Sequence, residues 1–223
     1  MIRAVVFDFD GVLANSEPLH FGAFRDVLAS HGFTLTEQDY YDKYLGFDDL
    51  GAFRAIAIDA GRPLAEREVS SMAGEKAVRL EELERGASVL FPGAREAIVR
   101  MAAHGPIAIA SGAIRAEILR VLDREGLRTY FQTVVAAEDT PVSKPDPAPY
   151  LRAVELLASR TGHLTARDCV AIEDSVWGLR SARAAGLRTV GITNSYPAEV
   201  LAEADAVIGH LDQFTPALLA SLT

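Results

Sequence analysis

Short apolar runs alternate along this chain with longer stretches in which apolar side chains recur every three or four positions. The runs are AVVF (4–7), PIAIA (106–110), TVVAA (133–137), CVAI (169–172), TVGI (189–192) and AVI (206–208). They are rich in β-branched residues and do not alternate with polar ones, which predicts strands covered on both faces. Helical spacing separates most of them. One stretch carries Ile114, Ile118, Leu119 and Leu122 and ends near Gly126. A second runs from Pro147 through Leu151, Val154 and Leu157 to Gly162, and a third is SVWGLRSARAAG (175–186), with Trp177 and Leu179 expected in the core. Proline near a start and glycine at an end fit helix boundaries. Strand–helix alternation of this kind predicts an α/β fold around a parallel sheet.

The alternation breaks once. After AVVF no strand-like run recurs until about residue 106, and 15–87 reads as helix after helix. Ser16 is placed to cap a helix carrying Leu19, Phe24, Val27 and Leu28, closed by Gly32. Leu50, Phe53, Ile56 and Ala57 form a second apolar face, and Val69, Met72, Ala73, Lys76 and Leu80 lie along a third segment, with Lys76 read as solvated. The predicted organisation is a catalytic core of 1–14 and 88–223 with an α-helical cap, 15–87, inserted after the first strand.

Composition narrows the function classes. The 223 residues are 49% hydrophobic and 24% charged, enough apolar content to exclude disorder as the main state. The net charge is −9 with no basic run, which argues against nucleic acid and against anionic membranes as partners. A small anionic substrate stays open, because a local site or a metal can override net charge. The inserted segment holds eight Lys and Arg against fourteen Asp and Glu, so it is no basic clamp. Cys169 is the single cysteine; it reads as a buried strand thiol and permits no intrachain disulfide. Only AVVF separates Arg3 from Asp8, and no apolar run nears membrane length. The expectation is a cytoplasmic monomer.

Polar groups come directly after four of the strand runs: Asp8 and Asp10, Ser111, Lys144 in its loop, and Glu173 with Asp174. In an open α/β sheet, ligands bind beyond the carboxyl ends of the strands, so the topology gathers these groups on one rim. Asp8, Asp10 and Asp174 would repel one another unless a cation sat among them, and a hard, oxygen-seeking ion such as Mg²⁺ fits. Each alone also reads as turn or cap chemistry. A carboxylate can attack a phosphoryl group to give an aspartyl-phosphate, and a second carboxyl two residues on can protonate the leaving oxygen. Ser111 and Gly112 in ASGA offer a hydroxyl and backbone N–H groups to phosphate oxygens, although Ser-Gly is also ordinary turn sequence. Lys144 is one of three lysines against nineteen arginines, and its compact ammonium can neutralise a phosphate and an aspartate together.

These residues resemble the motifs of the haloacid dehalogenase superfamily: FDFDGVLANSEPLH (7–20), IASGA (109–113), SKPDPAPY (143–150) and IEDSVWGLRSARAAG (172–186), in the family's order. The resemblance implies a Rossmann-like core with an inserted helical cap that closes over substrate, and Mg²⁺-dependent phosphotransfer. It makes Asp8 the nucleophile and Asp10 the general acid/base, with Ser111 and Lys144 binding phosphate. It places Asp174 as a metal ligand beside Asp8 and the Asp10 carbonyl, and Glu173 as a ligand or as support behind one. The sub-resemblance is to the β-phosphoglucomutase-like branch, which includes many sugar-phosphate phosphatases.

Within that family, dehalogenases and phosphonatases lack the second aspartate, so Asp10 argues for a phosphate ester. Mutases of this branch carry a cap arginine for a second phosphate. GFDDLGAFR (46–54) has Asp48 and Asp49 there, with Arg54 a turn further on, so a phosphatase of a small phosphorylated metabolite is expected over a phosphosugar mutase. His20, Phe47, Arg54 and Lys76 are the cap candidates for substrate selection. A phospho-aspartate signalling module is the reading from another class; its acidic pair comes first in sequence rather than last, and it needs no cap.

Overall fold

The computed structural model describes residues 1–222 apart from 46, 48, 86 and 87. The expectations resting on Asp48 and on the last cap residue, Ala87, lie outside the described residues. The chain divides into two compact units, Ser16–Ser88 and Met1–Asn15 with Val89–Thr223.

The first unit is helical. It contains α1 (Glu17–Ser30), a short α2 (Glu37–Asp39) running into one wide turn at Tyr40–Tyr44, α3 (Asp49–Asp59) and α4 (Glu66–Glu84). Ser16 precedes α1 without a side-chain capping bond, and Pro18 occupies the first turn instead. Proline suits that position because its missing N–H would have no helical partner there. Gly32 ends the helix at φ +76°, which lets the Phe33 N–H return to the Leu28 carbonyl at 2.9 Å. Phe24, Val27, Leu28, Tyr40, Phe53, Ile56, Val69 and Met72 share one apolar core. α4 presents Val69, Met72, Lys76 and Leu80 on its buried face, so Lys76 is not the solvated residue its sequence context suggests.

The second unit is an α/β layer structure. Among the described residues its sheet has six parallel strands in the order β3-β2-β1-β4-β5-β6. They are β1 (Ala4–Phe7), β2 (Ile107–Ala110), β3 (Phe131–Val135), β4 (Cys169–Glu173), β5 (Arg188–Ile192) and β6 (Ala206–Ile208). The helices are α5 (Ala94–His104), α6 (Arg115–Arg124), α7 (Ala148–Thr161), α8 (Val176–Ala184) and α9 (Pro216–Ser221). On one face Ala4, Val6, Ala108, Ala110 and Ala171 are small enough to admit Tyr150, Ala153 and Leu157 of α7 and Ala182 of α8. On the other, Phe7 meets the edges of Phe131 and Phe214, with ring centroids 6.2 and 5.8 Å away. Covering both faces is what the unbroken apolar strands require. Trp177 departs from expectation: it is 56% exposed, lying beside Arg180, whereas Leu179 is fully buried. Among the described residues, no helix is long and apolar enough to cross a membrane.

Candidate active site

The strand order reverses direction of growth at β1, which has β2 on one side and β4 on the other. A sheet splays its loops apart at such a switch point and leaves a crevice beyond the strand ends. The register pairs Phe7 with Ile172, so the next residues out, Asp8 and Glu173, stand side by side at that crevice. The Asp8 N–H is still in the ladder, donating to the Ile172 carbonyl at 3.0 Å. The chain then turns sharply. The N–H groups of Leu13 and Ala14 both return to the Phe9 carbonyl, at 2.8 and 2.9 Å, and Gly11 supplies the left-handed backbone, φ +76°. Asp10 lies in this turn, part-exposed, bridging to Ala14.

Lys144 arrives from the loop before α7. Its Nζ lies 2.8 Å from Asp8 Oδ1 and 2.6 Å from Glu173 Oε1. The loop is pinned at its far end, where Asp146 caps the Ala148 N–H at 2.9 Å and accepts the Ser181 hydroxyl on its carbonyl at 2.5 Å. Glu173 is fully buried and also receives the Tyr150 hydroxyl, at 2.5 Å on the same Oε1. Asp174, 7% exposed, accepts the Ser195 hydroxyl on Oδ2.

Ligand oxygens of Asp8, Glu173 and Asp174 all lie within 4.8 Å of one another. Three buried carboxylates against one ammonium leave an excess of negative charge in a dry place, and the protonation equilibria register it. Burial, then the Asp8 charge, push Glu173 up to about 8, against the opposing pull of Lys144. Burial and Asp8 likewise raise Asp174 to about 6, with Ser195 and Lys144 opposing. Burial alone would lower Lys144, but Asp8 and Glu173 outweigh it and hold it well above the ordinary lysine value. Such a set can bind a divalent cation, which would supply the missing positive charge. The packing is already shaped for it: a Cβ on Gly11 would fall 1.9 Å from Asp174 Oδ2, so only glycine lets that carboxylate sit where it does.

Of the residues singled out in the sequence, the structure therefore brings Asp8, Lys144, Glu173 and Asp174 into one cluster. Ser111 stands on the same rim, at the end of β2. It is buried, its N–H bonds the Val135 carbonyl and its Oγ accepts the Ala113 N–H at 3.1 Å, leaving the hydroxyl proton to give. Gly112 beside it is exposed, with open space where a Cβ would be.

The other candidates lie in the helical unit. Lys76 is 1% exposed; its Nζ sits 2.8 and 3.0 Å from the Asp49 carboxylate oxygens, 3.0 Å from His20 Nδ1 and 4.9 Å from the centre of the Phe24 ring. Arg54 forks onto Glu66 at 2.9 and 2.6 Å. Phe47 is exposed.

Three participants are not evident from the sequence pattern. Tyr150 closes the quoted SKPDPAPY motif, but nothing in that motif says its hydroxyl reaches Glu173. Asn194 and Ser195 belong to the polar run TNSY (193–196) just beyond TVGI. The signal there is the same one that marks Asp8 and Glu173, polar residues at the carboxyl end of a strand, applied to a fifth strand.

Residues 2–186 match the profile of a family described as haloacid dehalogenase-like hydrolases. The phosphorylated carbohydrates phosphatase of Thermotoga maritima is 32% identical over 211 residues, covering 92% of this chain and 93% of that protein. Hexitol phosphatase B of Escherichia coli K12 is 34% identical over 191 residues, or 85% of this chain and 82% of its own. The crystal structure of a beta-phosphoglucomutase from Clostridium difficile superposes with a TM-score of 0.78 at 22% identity, covering 100% of this chain and 97% of that one, and so shares the fold.

Proposed function

The chain belongs to the haloacid dehalogenase-like hydrolases, and on that premise we propose that it is a member of the β-phosphoglucomutase-like branch and a Mg²⁺-dependent phosphatase of a sugar or sugar-alcohol phosphate working through an aspartyl-phosphate. That it is a phosphoric monoester hydrolase of small phosphorylated molecules rests on the family and on relatives that are phosphatases over nearly their whole length. The carbohydrate substrate is carried over from the names of those relatives.

Asp8 is the nucleophile. Its Oδ1 is occupied by the Phe9 N–H at 2.7 Å and by Lys144, which leaves Oδ2 to attack phosphorus in line. Lys144 has three N–H donors; two are held by Asp8 and Glu173, and the third is available to a phosphate oxygen. Ser111 and the Gly112 N–H take further phosphate oxygens. Asp10 protonates the leaving alcohol, then removes a proton from the water that cleaves the phospho-aspartate. Asp8, Asp10, Glu173 and Asp174 would hold the magnesium ion, which when bound would supply positive charge to offset that of the phosphoryl group. Substrate choice is assigned to His20, Phe47, Arg54 and Lys76. Both cations in that set already face carboxylates, Asp49 and Glu66, which supports a hydroxyl-bearing leaving group over one with a second phosphate.

One observation carries the reading: a single ammonium bridges the carboxylate at the end of β1 to the one at the end of β4, with Asp174 beside them. The test is phosphate release from sugar phosphates, hexitol phosphates, phosphoglycolate and an aryl phosphate, in Mg²⁺ or EDTA, with isomerised sugar assayed in parallel. Release that needs Mg²⁺ and vanishes in Asp8→Asn is expected. Isomerisation without net release would make the protein a mutase, and turnover by Asp8→Asn would remove Asp8 as nucleophile.

A further inference from the structure

The turn after β5 makes two bonds that its sequence does not advertise, one to the acidic cluster at Asp174 and one to the Gly11 carbonyl beside it. β4 and β5 pair Glu173 with Gly191, so Thr193, Asn194 and Ser195 run past the strand end alongside Asp174. The Thr193 N–H bonds the Ile208 carbonyl of β6 at 3.0 Å, which anchors the turn to the sheet. From there the Asn194 side-chain amide donates to the Gly11 carbonyl at 2.8 Å, across 183 positions of sequence. Ser195 donates its hydroxyl to Asp174 Oδ2. The same Oδ2 lies against Gly11, where a Cβ would come within 1.9 Å. One carboxylate oxygen is thus fixed from two sides, by Ser195 and by the Gly11 backbone that Asn194 holds in place.

We propose that Asn194 and Ser195 are positioning residues that lock Asp174 in the orientation in which it accepts a divalent cation. The proposal rests on the metal reading given above. An ionised carboxylate has about four lone-pair sites on two oxygens. A hydroxyl on Oδ2 uses one and restrains rotation of the group, whose ligand oxygen lies within 4.8 Å of those of Asp8 and Glu173. A carboxylate free to rotate would have to be ordered each time a cation bound, whereas one already tethered by outer partners binds without that cost. Ser195 itself is exposed, so its hydroxyl has water as an alternative partner and does not need Asp174 for its own satisfaction. Its hydrogen bond acts on the position of Asp174.

The experiment is a calorimetric titration of Mg²⁺ alone, without substrate, into the wild-type protein, Ser195→Ala, Ser195→Thr, Asn194→Ala and, as the reference for a lost ligand, Asp174→Asn. Ser195→Ala is expected to weaken Mg²⁺ binding about 10- to 100-fold, the range found when an outer partner of a metal ligand is removed. Ser195→Thr keeps the hydroxyl and restores binding to within about threefold of wild type, since the orienting bond is what matters. Asn194→Ala weakens binding in the same direction through Gly11. In turnover, the Mg²⁺ concentration for half-maximal rate rises in parallel in Ser195→Ala, while KM for the phosphoester at saturating Mg²⁺ stays put. Wild-type affinity in Ser195→Ala overturns the clamp and leaves the metal reading intact. Absence of Mg²⁺ binding by the wild-type protein overturns both, and loss of binding in Asp174→Asn alone shows that Asp174 is a ligand needing no orientation from Ser195.

Discussion

Gly178 sits in the first turn of α8, where alanine would ordinarily be preferred by about 1 kcal/mol for its helix propensity. Here the sign is expected to reverse. A Cβ at Gly178 would fall 1.9 Å from both Cδ and Oε2 of Glu173 and 2.1 Å from Oε1. Either the helix moves off the sheet or the Glu173 carboxylate is displaced. That carboxylate is fully buried and accepts hydrogen bonds from Lys144 and Tyr150 at 2.6 and 2.5 Å. Bonds to a charged group contribute roughly 1.5–3 kcal/mol each, and overpacking of a filled core costs roughly 1–3 kcal/mol. After the propensity gain is subtracted, Gly178→Ala is expected to destabilise the α/β unit by about 2–5 kcal/mol. For a chain of this size each kcal/mol moves Tm by roughly 2–4 °C, so the fall is on the order of 10 °C. Thermal unfolding followed by circular dichroism measures it. The control is Gly74→Ala in α4, where nothing lies within 4 Å of the added Cβ and only the propensity gain applies. Equal upward shifts in the two variants would refute the reasoning, because they would mean that Glu173 is not held where its bonds require.

In EDTA, stability should fall as pH rises from about 5 to 8, since Glu173, raised to about 8, and Asp174, raised to about 6, hold protons more tightly folded than unfolded. Stabilisation by added Mg²⁺ should grow over the same window, because a cation binds the ionised carboxylates; Tm measured across pH with and without Mg²⁺ checks both, and a profile that rises with pH in EDTA would contradict the assignment. In the helical unit, Asp49→Asn strands the buried Lys76 ammonium and should cost about 2–3 kcal/mol, the usual penalty reduced because Asp49 is 41% exposed on its side chain. Lys76→Met should cost less in urea unfolding than Asp49→Asn, because the carboxylate it leaves behind is 41% exposed on its side chain and can be hydrated; equal losses would mean that the ion pair is not what the site depends on. Trp177→Ala should change stability by less than about 1 kcal/mol and Leu179→Ala by about 2–5 kcal/mol, reversing the ranking that side-chain size alone suggests.

How much is legible in the sequence depends on what each residue answers to. AVVF coincides with β1, whose four residues are all buried, and AVI with β6, a partly buried edge strand whose ends are marked by Asp205 and Gly209. TVVAA starts two residues late, since β3 begins at Phe131–Gln132. The polar Gln132 reads as loop, yet its side-chain oxygen takes the Ile107 N–H at 2.6 Å where the register of β2 and β3 shifts. α5 gives little warning of itself: it starts after Gly93 with no side-chain cap, and its buried face includes Ala94 and Ala97 beside Ile98 and Met101, a weak apolar signal. Asp8, Lys144, Glu173 and Asp174 stand out because each comes after an apolar run, which is a local fact. Tyr150, Ser195 and Gly178 do not, because their importance lies in which distant side chain they touch. Lys76 and Trp177 mislead for a related reason: exposure belongs to the partner surface, and the single chain pattern does not carry it.

The strand order has a consequence for how the chain is made. β1 is synthesised first, but its ladder partners begin at Ile107 on one side and Cys169 on the other. At a translation rate of roughly 5–20 residues per second, Ala4–Phe7 waits some seconds for its first neighbour and longer for its second. The helical unit Ser16–Ser88 is contiguous and built from local contacts, so it can form during that wait, while the apolar first strand stays without a ladder. The most chemically important segment of the protein is therefore the one that spends longest as an open edge on the ribosome. Slowing synthesis between residues 16 and 106, or withholding chaperones, should lower the yield of folded protein more than the same treatment after Glu173 has emerged.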